Sequence, residues 1–148
     1  IDQLHERYGI RQIFTLGGYG VGKIVEKPRV LGAATTPELV ERFKAYGIVF
    51  SENEPANGIV GASGLLLGLG QLRGIEGICL MGETSGYLLD PKSATAVVEV
   101  LKEHLDLDID MSELAEKVVQ LEAITKHLKA VEQSMMQEDK KRELDYIG

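Results

Sequence analysis

The chain has 148 residues, a formal net charge of −7, 44% hydrophobic and 26% charged side chains, the composition of one ordinary globular domain large enough for a real core. Net negative charge argues against nucleic-acid binding, whose phosphate contacts need clustered Lys and Arg, and an aromatic share of 5% without Trp offers no base-stacking platform. Cys79 is the single cysteine, so an intrachain disulfide is excluded, and its apolar run "GICLMG" reads as a buried structural thiol.

In chain order, "IDQLHERYG" predicts a helix stopped by Gly9, and "IRQIFTLGG" a buried strand. "RVLGAAT" is a second strand. Thr36-Pro37-Glu38 opens a helix with an N-cap and a proline at the first position, and "ELVERFKAYG" ends it at Gly47. "IVF" is a short strand. Asn57 caps a glycine-rich apolar helix through "GASGLLLGLGQLRG", in which Gly61, Gly64, Gly68 and Gly70 permit close packing that offsets their cost in helix propensity. "IEGICLMG" is a strand, and Asp90-Pro91 opens the helix "DPKSATAVVEVLKEHLDL". The longest apolar run, residues 58–70, is too short to span a bilayer as a helix, and no secretory leader is visible. A cytoplasmic protein without a membrane partner is expected. The start at Ile1, directly in a helix-like phrase, predicts that an upstream segment and part of the sheet are missing.

The alternation predicts an α/β fold with a mostly parallel sheet flanked by helices over residues 1–110. Residues 111–148 read as a long C-terminal amphipathic helix, capped at Ser112, and a mobile tail. No Gly or Pro interrupts its first 34 residues, and Leu114, Leu121, Leu128 and Met135 recur every seven. Ile124 and Val131 lie three residues after two of these, while Lys117 breaks the second row. One such stripe can pack on its own domain. Its length beyond a typical domain helix instead favours a projecting arm or an oligomer contact, with oligomerisation through Leu114, Leu121, Ile124, Leu128, Val131 and Met135.

Three motifs bear on chemistry. "LGGYGVGKI" places Gly17, four residues, then Gly22-Lys23, the core of a phosphate-binding P-loop. Ile24 stands where Mg²⁺ needs a Ser or Thr hydroxyl, and Pro28 leaves no room for the helix whose N-terminus would face the phosphates. The glycines read instead as a sharp turn at a strand end. "GASGL" resembles a nucleophile elbow with Ser63 as nucleophile, but Leu65 replaces the last glycine and no strand leads into it. His5, His104 and His127 fall on polar helix faces and are expected to be solvated, and their dispersal predicts no metal site. "MGETSGY" presents Glu83, Thr84 and Ser85 at the C-terminal end of a buried strand, where open α/β sheets gather their ligands.

"LGGYGVGK" together with "NGIVGASGLLLGLGQLRGIEGICLMGETSGYLLDPKSA" resembles the proteasome assembly chaperone family, particularly its archaeal homologues. The resemblance covers essentially the whole chain but lacks roughly the first third of a family domain. It implies a nucleoside-phosphorylase-like α/β domain without established catalysis or cofactor, forming homo-oligomers. It also implies partnership with the core proteasome α-ring, through a C-terminal tail entering pockets between α-subunits. That tail mode uses an apolar residue, Tyr, and a final carboxylate that pairs with a lysine. Here Tyr146 is third from last and Asp145 replaces the apolar residue, so the corresponding groups are Tyr146, Ile147 and the Gly148 carboxylate in a shifted register.

The expected function is therefore a non-enzymatic assembly chaperone or activator of the core proteasome. The rival is a small-molecule enzyme of phosphorylase or hydrolase type using Glu83, Thr84, Ser85 and Ser63.

Overall fold

The computed structural model describes residues 1–51 and 58–124, and the chain divides into two compact units, Ile1–Asp110 and Met111–Gly148. The first unit runs α1 (Asp2–Tyr8), β1 (Gln12–Gly20), β2 (Val30–Ala34), α2 (Pro37–Lys44), α3 (Gly61–Gln71), β3 (Glu76–Thr84) and α4 (Pro91–Leu105). The helix ends follow local chemistry. Gly9 stops α1 in the left-handed region at φ 61°. The Thr36 hydroxyl accepts from Leu39 N at 3.3 Å, and the Asp90 carboxylate accepts from Ser93 N at 3.1 Å, so each satisfies an otherwise orphaned first-turn amide. Both α2 and α4 have proline in the first turn. Asp106 closes α4 at φ 50°.

The strands form one sheet in the order β1-β3-β2, β1 parallel to β3 and β2 antiparallel to it. This mixed sheet corrects the expectation of a mostly parallel one. Residues 21–29 contain no helix, and a parallel return needs a crossover of a dozen or more residues. The chain therefore enters β2 at the end where β1 finishes and runs back. The expected "IVF" strand reduces to one bridge, with Val49 N donating to Val30 O and Gly32 N donating to Val49 O, both at 2.9 Å. Ile48 and Phe50 instead lie over Gly32, where a Cβ would come within 2.6–2.7 Å of them.

The central strand β3 is buried from Gly77 to Glu83, and its period of two separates two layers of core. Ile78 and Leu80 pack with Leu39 and Phe43 of α2 and Val97 and Val100 of α4. Cys79 and Met81 pack with Leu31 and with Leu67 of α3 on the opposite face. The result is a small α/β sandwich. A Cβ at Gly82 would sit 2.2 Å from Ser93 Oγ, so that glycine brings the start of α4 down onto the sheet.

Helix α3 begins at Gly61 with Val60 at its cap and no side-chain cap bond; Asn57, expected to cap it, lies outside the described residues. Its glycines divide. Cβ atoms at Gly64 and Gly70 would come 2.0 Å from Ile59 O and 2.8 Å from Ile13 Cδ1, whereas one at Gly68 meets nothing within 4 Å. An Arg73–Asp2 ion pair ties the end of α3 to α1.

In the second unit, α5 spans 112–124. Its first turn closes Ala115 N onto Met111 O at 3.0 Å, which puts Met111 rather than Ser112 at the cap position. Leu114, Val118 and Leu121 are half-buried and Ile124 is exposed. Leu128, Val131 and Met135 lie outside the described residues, as do His127 and the tail residues Tyr146, Ile147 and Gly148.

Candidate functional site

Parallel pairing sets Gly20 beside Thr84, so the loops after β1 and β3 leave the same end of the sheet. They touch: a Cβ at Gly20 would lie 3.5 Å from Gly86 Cα, and Gly86 holds φ 85°. Because β2 is antiparallel, Arg29 and Val30 arrive at this end too.

Glu83 occupies the middle of this junction with only 6% of its surface exposed. The Arg29 backbone N–H donates to its Oε2 at 3.0 Å, while Arg29 Nε and a terminal guanidinium nitrogen donate to Oε1 at 2.9 and 2.5 Å. In return, Glu83 N donates to Arg29 O at 2.9 Å. The Arg29 side-chain hydrogen bonds hold the Glu83 carboxyl below its ordinary range; burial pushes the other way, and the Arg29 amide with the charges of Arg29 and Lys23 add to the lowering. A buried carboxylate is tolerable only when paired and hydrogen-bonded in this manner. Thr84 Oγ1 accepts from Gly86 N at 3.4 Å, and the buried Ser85 Oγ accepts from Leu88 N at 3.3 Å. The three polar residues of "MGETSGY" thus turn their oxygens back into the protein, fixing the loop that delivers the chain to Asp90 and α4.

The P-loop spelling has no P-loop geometry. Gly17, Gly18 and Gly20 lie within β1 rather than in a turn, only Gly22 of this group has positive φ (71°), and residues 22–29 bend into β2 without a helix. The expected glycine turn is corrected to Gly22 alone, because the pairing with β3 extends through Gly20. Ser63 sits half-buried in the first turn of α3, and no hydrogen bond joins it to a histidine among the described residues. No group of three His, Cys, Asp or Glu side chains among the described residues could hold a metal ion.

Cys79 is buried, and burial pushes its thiol pKa up, partly offset by the Thr15 hydroxyl. It is a core residue. His5 is exposed, with Nδ1 2.9 Å from Ile10 O. His104 corrects the expectation of a solvated ring. It packs against Phe43 at 4.3 Å between centroids, Tyr46 at 5.2 Å and Phe14 at 5.8 Å. Burial lowers its pKa, with the Arg42 charge acting in the same direction. The spacing Val97, Val100, His104 follows the buried side of α4, and that period was the available signal. Arg29 had none, since its partner is far along the chain. Beside Arg29, a cleft of about 280 Å³ is lined by Tyr46, Val49 and, from α4, Glu99 and Glu103, below the usual size of a ligand pocket.

The sequence profile of the PAC2 family matches residues 1–129. The chain belongs to the PAC2 family. A Methanocaldococcus jannaschii protein of unassigned function is 41% identical over 146 residues, covering 95% of this chain and 56% of that protein. Among solved structures, Pyrococcus furiosus PbaB, an archaeal proteasome activator, is 42% identical with a TM-score of 0.73, over 86% of this chain and 54% of its own. Pyrococcus furiosus PbaA, an archaeal homologue of proteasome-assembly chaperone, is 27% identical with a TM-score of 0.71, over 96% of this chain and 57% of its own. This PAC2 chain therefore spans little more than half the length of the relatives it matches. No helix among its described residues is long and apolar enough to cross a membrane.

Proposed function

We propose that this PAC2 protein is a non-enzymatic, oligomeric partner of the core proteasome, acting on its α-ring as an activator or assembly chaperone. The observation that carries the reading is the 42% identity to PbaB at a TM-score of 0.73, against 27% to PbaA; the activator side is accordingly favoured. The internal hydrogen bonds of Glu83, Thr84 and Ser85 support a structural rather than a catalytic role for that loop and leave the small-molecule-enzyme reading without an observation in its favour.

Docking is assigned to Tyr146, Ile147 and Gly148. The preceding "EDKKREL" is too charged to bury a core stripe. Tyr supplies a rigid apolar ring with a hydrogen-bonding tip for an apolar pocket. One tail binds weakly because ordering it costs entropy; several on one oligomer gain about 10²–10⁴ in avidity if their spacing matches the ring. Co-sedimentation with the core proteasome is the test. Binding is expected for the intact chain and its loss on deleting Tyr146–Gly148, with oligomer mass and melting temperature unchanged. Equal co-sedimentation of the truncated protein rules out the tail, and absence of binding by the intact chain rules out the partnership.

A further inference from the structure

His104 lies in the last turn of α4, its half-buried ring set among Phe43, Tyr46 and Phe14. Its Nδ1 is closed off from solvent and has no hydrogen-bond partner among the described residues. A neutral imidazole tolerates this by keeping its proton on Nε2, but an imidazolium must donate from both nitrogens. A buried donor left unmet, and charged as well, is costly.

The surroundings do not offset that cost. From α2 come the Phe43 ring and the Arg42 guanidinium, from β1 the uncharged Phe14 ring. Tyr46, just beyond α2, is uncharged near neutral pH. Glu76 of β3 is engaged by Arg42 and Gln12, each at 3.3 Å. On α4 itself, Glu103 lines the cleft beside Arg29, and Lys102 Nζ donates to Ile109 O at 3.1 Å. Ring faces attract a cation, yet they give an Nδ1–H no oxygen. Burial and the Arg42 charge both act against the proton.

The two ends of α4 are anchored differently. Ser93, Val97 and Val100 are buried, and Ser93 is pressed against Gly82 of the central strand. Beyond Val100, Leu101 is half-buried and Leu105 exposed. The helix then stops at Asp106 with φ 50°, and Leu107 N donates to Lys102 O at 3.0 Å. Phe43 is fully buried in the core, so the α4 side of the contact is the side that yields. A terminal turn opens at far lower cost than a whole domain.

We propose that His104 is a proton-operated latch on the C-terminal turn of α4. Neutral, it holds that turn against Phe43, Tyr46 and Phe14; protonated, it releases the turn while the sheet and the rest of α4 stay folded. In the released turn the imidazole regains its ordinary pKa near 6.5, whereas burial keeps the docked ring lower. The open form therefore binds the proton first, and release is favoured progressively as pH falls below about 6.5. This latch is separate from the proteasome reading, and its test contains no proteasome.

Amide hydrogen exchange in the full chain, expressed as protection factors at pH 7 and pH 5.5, is the test. The amides of Leu105 and Leu107 are expected to lose about five- to tenfold in protection between the two. Those of Val97 in α4 and Leu80 in β3 are expected to change by less than about twofold. His104→Phe keeps a ring in the cluster without a titrating nitrogen, and its Leu105 and Leu107 amides should show no such loss. If that variant fails to fold, the ring resonances of His104 in the unmodified chain decide, with a titration midpoint expected below about 6.5. A midpoint at or above that value overturns the proposal. So does unchanged protection in the unmodified chain, or an equal loss in His104→Phe. A matching loss at Val97 and Leu80 overturns it as well, because the whole domain then opens rather than one turn.

Discussion

Burying a carboxylate costs several kcal/mol unless charge and hydrogen bonds compensate, and Glu83 has both from Arg29. Its folded pKa lies below the ordinary 4.5, so the unfolded chain takes up the proton first on acidification. The stabilisation is complete above about pH 4.5 and is lost as pH falls through the folded value. Glu83→Gln is therefore expected to cost about 1–3 kcal/mol near neutral pH, with a smaller difference from wild type at pH 3. Urea titrations at the two pH values check this; an equal loss at both shows that the carboxylate charge is irrelevant. His104 also has a lowered folded pKa. For a base this means that the unfolded chain binds the proton first, so stability is full above about pH 6.5 and declines below it. His104→Phe keeps an aromatic ring among Phe14, Phe43 and Tyr46 and should flatten the melting temperature between pH 7 and 5.5. A slope equal to that of wild type assigns the pH dependence elsewhere.

At the scale of one element, α3 separates glycine as a necessity from glycine as a cost. Gly64 is pressed against the Ile59 carbonyl, and Gly68 faces open space. Gly68→Ala should stabilise the chain by about 0.5–1 kcal/mol, the helix-propensity difference, while Gly64→Ala should destabilise it because the contact is with backbone. Thermal denaturation of the two variants gives opposite signs if this geometry is right. A gain in both shows that the turn before α3 yields easily. The helix also exposes Leu65 and Leu66, so its apolar character is only partly used against the sheet.

For the molecule as a whole, the proposed α5 association rests on a heptad row. The half-buried positions in the described part are Leu114, Val118 and Leu121, a 4-3 spacing that puts Val118 where Lys117 had looked like a break. Burial of a leucine contributes about 1.5–3 kcal/mol, so Leu121→Asp with Leu128→Asp should reduce oligomer mass in light scattering while leaving the far-ultraviolet spectrum mostly intact. Unchanged mass assigns self-association to another surface.

Three helix boundaries were legible because their causes are local: Gly9 beyond α1, Thr36-Pro37 before α2 and Asp90-Pro91 before α4 each act within one turn of the chain, whereas α2 stops at Lys44, short of the expected Gly47. The buried strand β3 was legible from its apolar run, and so was the failure of "LGGYGVGKI" as a P-loop, since residues 22–29 have no length for a helix. The family resemblance needed only the order of such motifs. What remained for tertiary structure was every relation between distant positions. Whether β2 runs with or against β3 depends on where the 21–29 connection emerges in space. Glu83 reads as a ligand group in isolation and becomes a clamp only when β2 brings Arg29 to the same end of the sheet. His104 reads as solvated on a charged helix until α2 and β1 place Phe43, Tyr46 and Phe14 around it. Backbone propensity and capping are written in neighbouring residues; electrostatic partners and the environment of a ring are set by which strands lie side by side.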